Sequence, residues 1–306
     1  GDGDRLASWT GGAYAYDAAG NVTRIVRDGR PTLDLAWNGR YQLVSVSTNG
    51  VLAESYAYDA LGRRASTTTQ EGTVRHVYGR KWQVLADLDG AGNVLRSYTW
   101  GGGIDNLLAA RVGAKAYAAL TDAQGTVWGL VGGDGEIAAR WTYDAWGNVL
   151  SEEVTDPDLA AFRYRFQGRE YSAATGLVNF RARWYDPGTG RWLSKDPIRL
   201  QGGVNLYAFC SNSPVCVNDP FGEMRVPAPG WHRSERDALN FPLPSSPPEP
   251  GSGWKELPES MSVYHDNGRG KPERKFIHPD GREAVYDGDT EGLITNQKYK
   301  GTYNYV

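Results

Sequence analysis

Four aspartates in this chain of 306 residues stand directly before proline, at Asp156-Pro157, Asp186-Pro187, Asp196-Pro197 and Asp219-Pro220. Two carboxyls brought close together can hydrolyse an amide without serine, cysteine or metal. One takes a proton from water while the other, kept protonated, protonates or polarises the carbonyl. Proximity drives their pKa values apart, because the second charge is costly to create beside the first. Asp-Pro is also ordinary turn chemistry, so residue types alone do not choose a pair among the four. Histidine offers a second chemistry. His265 beside Asp266, and His278 near Asp280 and Glu283, have the residue types of the acid–base pair of a metal-independent nuclease, since imidazole titrates near neutral pH. His-Pro-Asp-Gly is equally a plain turn, and 11 basic residues face 12 acidic ones over 225–306; nucleic acid is a candidate partner for this segment only. No Gly-rich phosphate loop and no His-Glu-x-x-His occurs. Cys210 and Cys216 supply neither a disulfide framework nor a zinc ligand set and read as buried small apolar residues. No cofactor is expected.

The elements that must position these residues are strands. Glycine (39), tyrosine (18) and tryptophan (11) are abundant and methionine is nearly absent, a mixture that favours strands and tight turns. A phrase recurs at Tyr16-Asp17-Ala18-Ala19-Gly20-Asn21, Tyr58-Asp59-Ala60-Leu61-Gly62-Arg63, Asp89-Gly90-Ala91-Gly92-Asn93, Asp122-Ala123-Gln124-Gly125-Thr126 and Tyr143-Asp144-Ala145-Trp146-Gly147-Asn148. In each, Asp hydrogen-bonds the turn backbone and Gly takes the positive φ, so each predicts a hairpin. Flanks such as Trp141-Thr142-Tyr143 alternate as strands do. A hairpin cannot bury its apolar face alone, so successive hairpins must join into a continuous sheet. Spacings of 22 to 42 residues make the repeat look irregular.

The phrase resembles the YD repeat of Rhs, Tc-toxin C-component and teneurin proteins. The resemblance implies a mostly β fold in which YD-repeat hairpins form part of a spiral β-cocoon shell, followed by a small, poorly defined tail domain. Residues 162–224 resemble the Rhs core-associated region through Tyr164-Arg165-Phe166-Gln167-Gly168-Arg169-Glu170-Tyr171, Arg181-Ala182-Arg183-Trp184-Tyr185-Asp186-Pro187, Gly190-Arg191-Trp192-Leu193-Ser194-Lys195-Asp196-Pro197 and Asp219-Pro220-Phe221-Gly222. Phe209 and Cys210 depart slightly from that pattern. By this resemblance Asp196 and Asp219 fall on the proposed aspartyl-protease pair and Arg183 on a helper arginine, which could equally serve as an ion-pair residue. Self-cleavage is then expected between Met224 and Arg225.

Three domains are expected: a YD-repeat shell over 1–161, the core-associated autoprotease region over 162–224, and a variable toxin segment over 225–306. That last segment holds 10 of the 16 prolines and a Pro/Ser/Gly linker at 241–253, and 275–288 reads as strand, Pro-Asp-Gly turn, strand. Its final residues, 301–306, break off in mid-strand by pattern, as an incomplete toxin domain would. A net charge of −3 gives no global sign of a polyanion-binding role. The absence of a signal-like start and of any long apolar run suggests a soluble fragment without a membrane span. The resemblance implies an interbacterial toxin delivered by a type VI-like system. Its partners would be its own C-terminal toxin inside the shell, a cognate immunity protein and a secretion adaptor. The competing reading is a non-enzymatic surface or adhesion shell.

Overall fold

The computed structural model describes residues 4–79 and 82–223, together with the backbone of four short strands beyond them. It divides into two compact units, Gly1–Pro229 and Gly230–Val306. In the first unit fifteen strands, from β1 (Ser8–Trp9) to β15 (Val149–Val154), form one antiparallel sheet in sequential order. Each strand pairs with the next, as the repeated hairpin phrase predicts. Side-chain alternation decides which face is covered: in Ile137–Tyr143, Ala139 and Trp141 are buried while Arg140 and Thr142 point outward.

The structure replaces the irregular spacing with a regular one. Aromatic residues end every second strand at Tyr16, Trp37, Tyr58, Tyr78, Trp100 and Tyr143, with Thr121 in the remaining place, in steps of 21, 21, 20, 22, 21 and 22 residues. Their polar tips reach back to the carbonyl that opens the preceding repeat. Trp37 Nε1 donates to Val22 O at 2.7 Å, Tyr58 OH to Leu43 O at 2.7 Å, Tyr78 OH to Arg64 O at 2.9 Å, Trp100 Nε1 to Val84 O at 2.8 Å and Tyr143 OH to Val127 O at 3.0 Å. Where Asp or Asn follows, its carboxylate or amide closes the turn. Asp144 Oδ1 accepts from the backbone of Trp146 and Asn148, and Asn38 does the same for Arg40 and Gln42. The period is hidden in the sequence because Trp replaces Tyr, Asn38 replaces Asp, and Gly79 and Gly101 replace Asp altogether. The Asp89 turn, although built the same way, joins Val84–Leu88 to Val94–Trp100 on the opposite edge of the sheet.

After Pro157–Leu159 the chain folds back and builds a four-stranded sheet, β16 (Glu170–Tyr171), β17 (Val178–Phe180), β18 (Arg183–Asp186) and β19 (Arg191–Trp192). This region fastens both ends of the large sheet. Leu177, Trp184 and Leu193 join the core under the first strands, with Tyr14, Val22 and Ile25, whereas Phe162 and Tyr164 join the core under the later strands, with Tyr98 and Trp141. A third core is its own: Phe166, Phe180, Tyr185, Trp192 and Phe209, with Phe209 stacked on Tyr185 at 4.0 Å. The departure at Phe209 thus lies in the middle of a packed aromatic cluster. Cys210 is buried, but Cys216 is only half-buried, contrary to expectation, because it closes the surface turn that begins at Ser213. Main-chain bonds complete the attachment: Val22 N–H donates to Leu193 O at 2.8 Å and Val127 N–H to Arg165 O at 3.1 Å.

Between the two apolar cores the sheet carries a buried polar network. Asp87 accepts from Arg163 at 2.8 Å and Tyr98 at 2.7 Å, and His76 Nδ1 lies 2.8 Å from the same carboxylate. Arg64 pairs with Glu170 beside them. Burial, reinforced by the Arg163 charge, drives the His76 pKa down to about 4. The folded state therefore binds fewer protons than the unfolded chain below the ordinary histidine value. Stability is full above about pH 6.5 and is lost as pH falls toward 4, by on the order of 3 kcal/mol from this group. Denaturant unfolding at pH 7 and pH 4.5 checks this, and His76→Asn should flatten the difference.

The unit Gly230–Val306 contains a three-stranded antiparallel sheet of Lys255–Glu256, Arg274–Ile277 and Glu283–Tyr286. The hairpin read in 275–288 forms with Lys275 opposite Val285 and Phe276 opposite Ala284. Among the described residues no helix is long and apolar enough to cross a membrane.

Candidate active site at the junction

All four Asp-Pro steps open turns, as residue type alone predicts. Asp156 accepts from Asp158 N–H, Asp186 from Gly188 N–H, Asp196 from Ile198 N–H and Asp219 from Glu223 N–H, at 2.9 to 3.1 Å. Their second partners separate them. Asp156 holds exposed Lys115, and Asp186 is consumed by Arg27 and Tyr14 in fastening the large sheet. Asp196 and Asp219 instead share Arg183. Its Nη1 lies 2.9 Å from Asp196 Oδ2 and its Nη2 3.0 Å from Asp219 Oδ2.

Strand pairing explains why Arg183 can do this. It opens β18 opposite Phe180, on a strand whose neighbours Trp184 and Tyr185 are locked into two different cores. Its guanidinium lies 4.1 Å from the centroid of the Trp192 ring, which fixes the plane of the fork. Arg183 Nε donates to Gly222 O. The arginine that bridges the carboxyls thus also holds the main chain three residues past Asp219.

The three side chains line a cavity of about 360 Å³ that includes Gly202, Asn205 and Glu223. Burial raises the pKa of both carboxyls above the ordinary aspartate value; the Arg183 charge offsets part of this, and for Asp196 the neighbouring Asp219 charge adds to the rise. Burial likewise lowers Arg183, opposed by its two aspartates. Such a site retains a proton to higher pH than two free aspartates would, the condition under which one carboxyl of a pair stays an acid.

The structure thus brings together Asp196, Asp219 and Arg183. Met224, Arg225, His265, His278 and Asp280 lie outside the described residues; of Glu283 only the backbone is described, at the start of a strand. Sequence reading missed Trp192 and Gly202. It also missed the left-handed run Cys210, Ser211, Asn212 (φ 47°, 49° and 62°), which forms part of the cavity wall.

A meander of aromatic-and-Asp repeats, tied at both ends to a following segment that carries a buried Arg and two Asp, defines a repeat-built β-shell. The chain matches the Teneurin YD-shell family over residues 1–215 and belongs to that family. Among its relatives, the tRNA3(Ser)-specific nuclease WapA of Bacillus spizizenii is 34% identical over 217 residues, covering 69% of this chain and 9% of the relative. The double-stranded DNA deaminase toxin A of Burkholderia cenocepacia is 27% identical over 354 residues, 99% of this chain and 24% of that protein. The crystal structure of TcdB2-TccC3-Cdc42 superposes with a TM-score of 0.51 at 21% identity, over 69% of this chain and 13% of that one. The chain spans less than a quarter of the length of each. It is a YD-shell segment related to Tc-toxin and polymorphic-toxin proteins.

Proposed function

We propose that this chain is the C-terminal part of a toxin shell protein that encloses its own C-terminal segment and frees it by aspartate-dependent hydrolysis between Met224 and Arg225. The observation that carries this reading is the bridge of Arg183 to both Asp196 and Asp219, with the junction backbone held in the same cluster at Gly222 and Glu223. One carboxyl of the pair is ionised and takes a proton from water, whose oxygen bonds to the Met224 carbonyl carbon. The other carboxyl delivers its proton as the C–N bond breaks and its electron pair goes to the Arg225 nitrogen. The products are a Met224 carboxylate and an Arg225 amine. Tethering makes the attack effectively intramolecular, which contributes on the order of 7–11 kcal/mol through orientation. One turnover suffices.

Cleavage carried out in heavy-oxygen water tests the chemistry. Peptide mapping should find the label in the new C-terminal carboxyl of the shell product, at Met224; an unlabelled terminus would exclude hydrolysis by water. The pH dependence follows from the raised carboxyl pKa values. As pH rises through the upper value of the pair the acid loses its proton, so the cleavage rate should fall toward alkaline pH, and a rate that climbs there would contradict an acid drawn from this pair.

Residues 225–306 are then the effector. Alignment to the Burkholderia deaminase toxin extends over this part of the chain, and the WapA relative is a tRNA nuclease by name. The segment 225–306 contains no cysteine, so the Cys pair of a zinc nucleobase deaminase is not within it. A metal-independent nuclease using His265 or His278 with Asp280 and Glu283 is the chemistry its residues could carry. Delivery from a bacterium into a target cell by a type VI-like system, with an immunity protein and an adaptor as partners, completes the reading.

A further inference from the structure

The junction is held by a second arginine, and this one reaches the shell. Arg181, two residues before Arg183, donates to Pro220 O, and its guanidinium lies 5.0 Å from the centroid of the Phe221 ring. The same guanidinium grips Asp105 through both ends of the fork, Nη2 to Oδ1 at 2.6 Å and Nη1 to Oδ2 at 2.9 Å. Asp105 belongs to the sheet-edge turn between Trp100 and Leu107, 76 residues earlier in the chain. It is buried and also accepts from Arg169 Nη1 at 2.9 Å. The slot that receives it depends on a missing side chain. Gly168 has φ +64°, and a Cβ there would come closer than 3.0 Å to the Asp105 carbonyl oxygen. A bidentate, buried arginine–carboxylate pair is geometrically exacting. Here it connects a shell turn to Asp219-Pro220-Phe221-Gly222.

We infer that Asp105 and Arg181 are positioning residues for the self-cleavage, so that hydrolysis waits on the docking of shell turn 101–106; this rests on the self-cleavage reading above. Arg181 touches neither reacting carboxyl. It fixes Pro220 and Phe221, and through them the placement of Asp219 and Gly222 on Arg183. A chain whose sheet has not formed as far as this turn lacks the carboxylate that orients Arg181. The bond is therefore spared until the enclosure is built.

The test is cell-free synthesis of the full chain, with cleavage followed in time by intact mass at several pH values. Asp105→Asn and Arg181→Met should slow cleavage by about a hundred-fold, the cost of displacing reacting groups by roughly 1 Å. Arg181→Lys should recover part of that rate. The shape of the pH profile should not change, since Asp196 and Asp219 still do the chemistry. Asp87→Asn serves as the matched control, because it breaks a buried shell pair made to Arg163 and Tyr98 rather than to the junction. It should cut at the wild-type rate even with a comparable loss in thermal midpoint. Should Asp105→Asn not fold, the comparison of Arg181→Lys with Arg181→Met decides, equal rates overturning the inference. Asp105→Asn cutting as fast as wild type, or Asp87→Asn slowed equally, also overturns it. An uncut wild type would instead remove the self-cleavage reading and this inference together.

Discussion

Chains carrying Asp219→Asn are expected to remain whole, with cleavage slowed by on the order of a thousand-fold or more, because an amide at that position can neither take the proton from water nor deliver one. The substitution is conservative for the fold. Asn can keep its oxygen on the Glu223 N–H, but its amide NH2 then faces Arg183 and cannot accept from it, so one charge-assisted hydrogen bond is lost; against this, the substitution removes a carboxyl whose ionisation burial already opposes. Arg183 loses one of two charged partners but keeps Asp196 and the Gly222 carbonyl. Cooperative unfolding should therefore survive while cutting does not. Asp196→Asn should behave alike, and the double variant should be hardly worse than either single one, since residues that act as a unit are not additive. Intact mass on the three purified chains, beside their thermal unfolding curves, measures both quantities. Asp219→Asn chains cut at the wild-type rate would remove the pair from the mechanism.

The second large effect should come from a residue with no chemistry of its own. Gly202 has helical φ and ψ of −78° and −13°, which any residue adopts, so Ala costs the backbone nothing there. The added Cβ, however, would fall closer than 3.0 Å to Asp196 Oδ2, a separation that real Cβ atoms do not show. Something must move, and the nearest atom is the carboxyl oxygen that faces Arg183. Gly202→Ala should slow cleavage by about a hundred-fold while shifting the thermal midpoint little. The comparison with Asp219→Asn is informative, since one variant removes the group and the other displaces its partner. A Gly202→Ala chain that cuts normally would show that the placement of Asp196 beside Arg183 is not needed.

Much of the shell was legible because turn chemistry is local. Asp17, Asp59, Asp122 and Asp144 bond the backbone within four residues, so their phrases expose the hairpins directly. The 21-residue period was not legible by eye. The position before the turn needs only an aromatic body with a polar tip to reach a carbonyl, and Tyr OH and Trp Nε1 serve equally. At the turn position Asn38 stands in for Asp as the acceptor, and Gly79 and Gly101 supply no side-chain acceptor there. At the junction, Asp196, Asp219 and Arg183 were found through a motif, whereas Asp105 carries no local signature. Its partners lie 64 and 76 residues away, and only the return of the chain onto the sheet edge brings them together. Arg181 lies in the left-handed turn between β17 and β18 (φ 67°), so no strand alternation in the sequence relates it to Arg183.

Self-cleavage of this fold at its junction is read out by intact mass spectrometry of the folded wild-type chain. Two species are expected after expression, the smaller with the mass of residues 225–306. A chain that unfolds cooperatively, and is therefore folded, yet persists as a single uncut species would contradict self-cleavage.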